Sequence, residues 1–492
     1  MATIKDITTM CKSGQIQEAY EVALTDWNND PDNIWTQREV GWALYYQIKN
    51  DVENSSIDEL YGHLEKLSEL SLLDMAQDKL IFENVLWKLC DYLKAVPADN
   101  HTPISNIFAR IQSWHYGQSR VYSYFIQICL KFEGWDQMAS FIEWWDLDNL
   151  QAEDYQPFRM ESGKTVMALA ERVFIAYSKA ILKLKDQERI GKFIPRLEYF
   201  AETYQDMIYL GYFCGKLLIA QGACEEDALS RLIPFVRKKI NEFWAWQVLS
   251  EIFRNDVQKR LACLLRAVNC RTQESFLGKI RIALAELYIS QNDFGRAKYH
   301  IDKVSACYLK QGWRIPNQIQ TWINQSWLES TAADSSCGMD YKTITDEILY
   351  HEAKDGVAIV TYVDRQSKRA SLIYGMKQKL TVRYDRWKTF PSDGMVLSIR
   401  FIEENDGIKI IDAQSYTGPV DVPFMKKVSG TVDKRAENQF AFINTGSEKY
   451  FITPNIVSKY NLTGGESINA VVVYDFNKKK NEWNWTCISI NK

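Results

Sequence analysis

The spacing of apolar residues changes once along this chain, and that change limits the fold more than any single motif does. Up to about Glu329 the apolar side chains recur every three or four residues, as Val166, Leu169, Val173, Ala176, Tyr177 and Ala180 do. That is the period of a helix with one buried face. Beyond Asp355 the period is two. Residues 357–363, 380–384, 396–402 and 408–411 form one set of alternating runs, and 429–432, 439–443, 450–453, 468–474 and 483–490 form a second. Two sets of about five short strands, with Gly, Asn and Asp between them, predict two small β-barrels. The fold class expected is therefore multidomain α + β. A helical array occupies 1–329, a linker of small polar residues 330–350, a first barrel 351–418 and a second barrel 424–492.

Composition agrees with that division. At 492 residues the chain exceeds the roughly 250–300 at which single cores stop growing. Sixteen Trp with only 23 Gly and 11 Pro favour long packed helices over much of the length. A 46% hydrophobic, 25% charged chain is not a disordered one. No apolar run approaches the roughly 18 residues that span a bilayer, and residues 1–6 are no signal peptide. Ten cysteines without a CxxC pair read as reduced and mostly buried. The expectation is a soluble, cytoplasmic protein with no membrane association.

Within the helical part a small residue follows a turn residue at a fixed offset: Gly14 and Ala19, Gly134 and Ala139, Asn292 and Ala297. Trp246-x-x-Leu249, Phe253 and Ala262 then have the spacing of one unit, which Leu284-Ala285-x-x-Tyr288 and Ala297 repeat. These residues resemble the tetratricopeptide repeat. The resemblance implies helix pairs stacked into a superhelix whose concave face holds a protein partner. The same small residues and Trp would also be needed for packing alone.

In the last part, Gly430-Thr431-Val432, then Gln439-Phe440-Ala441-Phe442-Ile443, then Lys449-Tyr450-Phe451-Ile452-Thr453, then Leu462-Thr463-Gly464-Gly465 resemble the cold-shock type of OB fold. That resemblance puts Phe440, Phe442 and Phe451 at the family's base-stacking positions. Lys434 and Arg435 stand near the place of its strand-one Trp, and Thr453 stands where a His is usual. Alternation alone equally allows Phe440 and Phe442 to face a barrel core. The first barrel has the same outline. Between Tyr362 and Thr389 it carries Arg365, Lys368, Arg369, Lys377, Lys379, Arg383, Arg386 and Lys388 against Asp364 and Asp385, about +6, with Tyr374, Tyr384 and Trp387 interleaved. Cations for phosphates and rings for bases are what a single-strand groove needs. The nucleic-acid-binding residues expected are thus Phe440, Phe442, Phe451, Lys434, Arg435, Arg365, Lys368, Arg369, Arg383, Tyr384, Arg386 and Trp387. The run Lys478-Lys479-Lys480 reads as a hairpin tip.

Chemistry is sparse. Five scattered histidines form no metal motif, and no phosphate loop, GxGxxG or GxSxG occurs. Arg110-x4-His115 resembles the R-x4–6-H of HEPN-type RNases, at a spacing that chance readily supplies. The reading is a non-enzymatic adaptor with no metal, cofactor or small-molecule substrate, holding a protein on its helices and single-stranded RNA, or DNA, on tandem OB barrels. The alternatives are a pure protein scaffold and, remotely, a HEPN-like RNase. The joined architecture resembles repeat–OB proteins of bacterial anti-phage conflict systems.

Overall fold

A computed structural model describes residues 2–115, 117–385, 387, 389–404, 407–477 and 480–491. The chain forms two compact units, Met1–Thr345 and Asp346–Lys492. Among the described residues no helix is long and apolar enough to cross a membrane.

The first unit is helical, from Ile4–Lys12 to Ser326–Ser330, interrupted by one hairpin of β1 (Phe158–Arg159) and β2 (Thr165–Val166). Helices pack on their sequence neighbours, and the turns between them explain the small-residue offset. Gly14, Gly134 and Asn292 have φ of +92°, +82° and +60°. Such a left-handed turn is easiest for Gly or Asn. Five residues on, Ala19, Ala139 and Ala297 are each 0% exposed, so the next helix meets its neighbour through a methyl group. Trp246, Leu249, Ala262, Leu284, Ala285 and Tyr288 are buried in the same way.

One buried polar cluster ties this unit to pH. His300 lies parallel to Tyr288 at 5.8 Å, and its Nδ1 accepts from Arg281 Nη1 at 3.1 Å. Arg281 also holds Glu274. Burial first, and the Arg281 charge second, push the His300 pKa down to about 3. The unfolded chain therefore binds a proton below its ordinary value near 6.5 that the folded chain refuses until about 3. Stability of the helical unit should be intact above 6.5 and fall progressively as pH drops from there towards 3. His300→Gln should flatten that part of a thermal-melting pH profile.

Residues 331–338, expected as linker, are a strap docked on helix Phe294–Gln311. Asp334 N–H donates to Gly295 O at 3.0 Å, Arg296 donates to Ser336, and Tyr288 Oη donates to Cys337 O at 3.2 Å. Most of the rest of the expected linker is a helix, Tyr341–Leu349. Small polar residues here serve as hydrogen-bonding groups laid along a helix, which composition alone reads as a loop.

The second unit holds two five-stranded modules. In the first, β3 (Lys354–Asp364), β4 (Arg369–Gly375), β5 (Gln378–Arg383), β6 (Val396–Glu404) and β7 (Gly407–Ser415) form a sheet in the order β5-β4-β3-β6-β7. The expected first barrel is thus an open sheet whose edge strands β5 and β7 do not pair among the described residues. Its core is Ala358, Val360, Ala370, Leu372, Tyr384, Leu397, Ile399 and Ala413. In the second, β8 (Met425–Asp433), β9 (Ala441–Asn444), β10 (Lys449–Ile452), β11 (Ser467–Asn477) and β12 (Glu482–Asn491) close into a barrel, order β10-β12-β11-β8-β9. A short helix, Pro454–Lys459, follows β10, and Thr453 caps it by accepting from Ile456 N–H.

A third apolar cluster joins the modules. Ile359 and Ile373 from the first meet Phe424, Met425, Val473 and Ile488 at the second, all 8% exposed or less. Lys379 Nζ lies 2.6 Å from Asp475 Oδ1 beside this seam. Gly394, at φ +83°, sits so close to β12 that a Cβ would lie 3.1 Å from that of Ser489.

Candidate nucleic-acid interface

Strand pleat decides which rings are available. On β9 and β10 the inward side chains are Ala441, Ile443, Tyr450 and Ile452, all in the barrel core. Phe442 and Phe451 point the other way and are direct cross-strand partners. Phe440, just ahead of β9, completes a triangle with ring centroids 5.8–5.9 Å apart. All three rings are half-exposed, so they form a small apolar platform on the outer barrel wall.

Charges border that platform. Lys449 Nζ pairs with Asp433 Oδ2 at 2.7 Å, and this hydrogen bond holds the Asp433 carboxyl below its ordinary pKa. Lys434 Nζ donates to Leu462 O at 3.1 Å, which ties the end of β8 to the loop that precedes β11. Arg435 is exposed. Lys426 lies 4.5 Å over the Trp485 ring and 3.7 Å from Glu448.

In the first module the expected residues separate into two groups. Arg365, Lys368, Arg369 and Arg383 are exposed and cluster at one end of the sheet. Asp364 accepts from Gln366 and Ser367 N–H and so shapes the β3–β4 turn, while Lys368 O accepts from Tyr384 N–H at 3.1 Å. Arg369 and Arg383 face each other directly across β4 and β5. Like charges so placed repel, and Asp385, whose Oδ1 lies 3.5 Å from Arg383 Nε, offsets part of that repulsion. Asp364, Arg369 and Arg383 thus form a row over β3-β4-β5, as Asp433, Phe442 and Phe451 do over β8-β9-β10.

Tyr384 requires correction. It is 7% exposed and part of the first module's core, just past the end of β5 and packed there with Leu380 and Val382. Trp387 packs against the same core, 6.4 Å from Tyr384, as does Tyr374. Neither Tyr384 nor Trp387 stands beside the arginines as a free stacking ring. An exposed ring near them is Tyr362, 58% exposed and paired with Ser371, two residues along β4 from Arg369. Arg386, Lys388, Lys478 and Lys479 lie outside the described residues.

The Arg110–His115 pair has a structural setting. Arg110 donates to Tyr61 O at 3.0 Å and Asn106 O at 2.9 Å and stacks 4.9 Å over Tyr61, while His115 is exposed.

Family comparisons bear on parts of both units. Residues 208–347 match a domain of unknown function, DUF7017, a span that includes the strap with the helices it is bonded to. No curated protein matches the chain. Residues 426–490, from the start of β8 almost to the end of β12, match S1/CSD-like domain 2 of the TOTE conflict systems. The closed barrel that carries the phenylalanine platform is the part of this chain that is similar to S1/CSD-like domains.

Proposed function

We propose that the second unit binds single-stranded nucleic acid, RNA before DNA, and that the whole chain is a non-catalytic adaptor in a conflict system, its helical unit holding a protein partner. The observation that carries this reading is the outward Phe440–Phe442–Phe451 platform on a module similar to S1/CSD-like domains. Bases stack on such rings without sequence preference, at about 1–3 kcal/mol each. The arginine row of the first module supplies phosphate neutralisation, so the two modules divide the work between rings and charge.

Fluorescence anisotropy of labelled single-stranded RNA, single-stranded DNA and duplex, titrated with the full chain at several salt concentrations, tests it. Single strands should bind at micromolar Kd or tighter, and log Kd should rise with log salt. Each phosphate contact contributes a slope of about 0.7 on single strands, so Arg369→Ala with Arg383→Ala should lower the slope by about 1.4. Absence of single-strand binding at low salt would refute the reading and leave the platform as a protein-docking surface.

A further inference from the structure

A cavity of about 740 Å³ opens in the helical unit, far in sequence from the phenylalanine platform. The turn after helix Arg120–Cys129, helix Leu169–Leu184, helix Ile208–Gln221 and the start of helix Phe243–Ile252 enclose it. That volume lies within the roughly 300–1,000 Å³ of small-ligand sites. Its wall is aromatic: Trp244 is near-parallel to Tyr209 at 6.2 Å and edge-on to Tyr212 at 5.3 Å. Trp135, Met138 and Met167 continue the surface.

The cations of this cavity differ in one respect. At the rim, Lys179 pairs with Glu133 at 3.4 Å and Lys183 with Asp136 at 2.8 Å. Arg172, half-buried in the wall, has no carboxylate, carbonyl or ring engaging its guanidinium among the described residues, and burial alone depresses its pKa. Elsewhere in the same unit Arg189, Arg196, Arg231, Arg281 and Arg296 each hold a carboxylate. A desolvated charge without a partner is costly, and an anion brought by a ligand offsets that cost. The guanidinium fork suits a carboxylate or phosphate, and the ring wall suits a flat apolar body.

We propose that this cavity binds a small planar anion, an aromatic or heteroaromatic ring bearing one carboxylate or phosphate, with the anionic group on Arg172 and the ring against Tyr209, Tyr212 and Trp244. The site is separate from the nucleic-acid reading and stands or falls without it.

The test is calorimetric titration of the full chain with adenosine 5′-monophosphate and with indole-3-acetate, beside adenosine and indole as their uncharged counterparts. At least one anion should bind 10-fold or more tighter than its neutral counterpart, and Arg172→Met should abolish that preference. Trp244→Leu should weaken charged and uncharged probes together. Without any ligand, Arg172→Met removes an uncompensated charge and should raise Tm by about 2–4 °C. Equal affinity for charged and uncharged probes, or a fall in Tm on Arg172→Met, would overturn the assignment.

Discussion

Replacing Phe442 and Phe451 together by alanine is expected to weaken single-strand binding by about 30- to 25,000-fold, from about 2–6 kcal/mol of lost stacking. The two rings are cross-strand partners on the outer wall, whereas the core beneath them is Ala441, Ile443, Tyr450 and Ile452. Their removal therefore takes away the platform and leaves the interior packing in place, so circular dichroism and thermal melting should change little. Anisotropy with labelled single-stranded RNA reads the affinity. Phe440→Ala alone should cost less, about 10-fold, because it removes one ring rather than two and Phe440 lies just ahead of β9. Unchanged affinity in the double variant would remove the rings from the interface.

Tyr384→Ala should do the opposite. A large ring leaves the core of the first module, and deletions of that size cost about 3–5 kcal/mol. The second unit should melt earlier and at lower urea, while the folded fraction keeps its affinity within about 3-fold. A loss of affinity without a loss of stability would return Tyr384 to the interface.

The contrast between these two aromatics shows how much the chain's order of residues discloses. The change of period near 330–355 separates helices from strands, and the β9 and β10 runs predict strands within a residue or two of their observed ends. Tyr384 was legible as well: Leu380, Val382 and Tyr384 share one parity, and the first two are apolar, so strict alternation puts the ring inside. The basic residues on either side of it carry the opposite signal, that of a charged groove. Tyr362 was not legible. Ala358 and Val360 face the core, and strict alternation would send Tyr362 inward too, but a bulge between Val360 and Tyr362 shifts the pairing and turns the ring outward. A bulge is a property of the pair of strands, and one strand's sequence does not announce it. The choice between platform and core for Phe442 needed the same information from its partner strand. Arg172 was hidden for a further reason, since an unpaired cation is defined by residues far away in sequence.

The seam between the modules has a consequence for how these parts travel as genetic units. Ile359 and Ile373 on one side, and Phe424, Met425, Val473 and Ile488 on the other, are each solvated if the chain is cut between Ser415 and Phe424. A recombination joint placed there is expected to yield two products that each expose an apolar face. The pair is thus expected to stay together as one cassette. A cut ahead of Asp346 keeps the seam whole, and shuffling of this protein's parts is expected to respect that boundary.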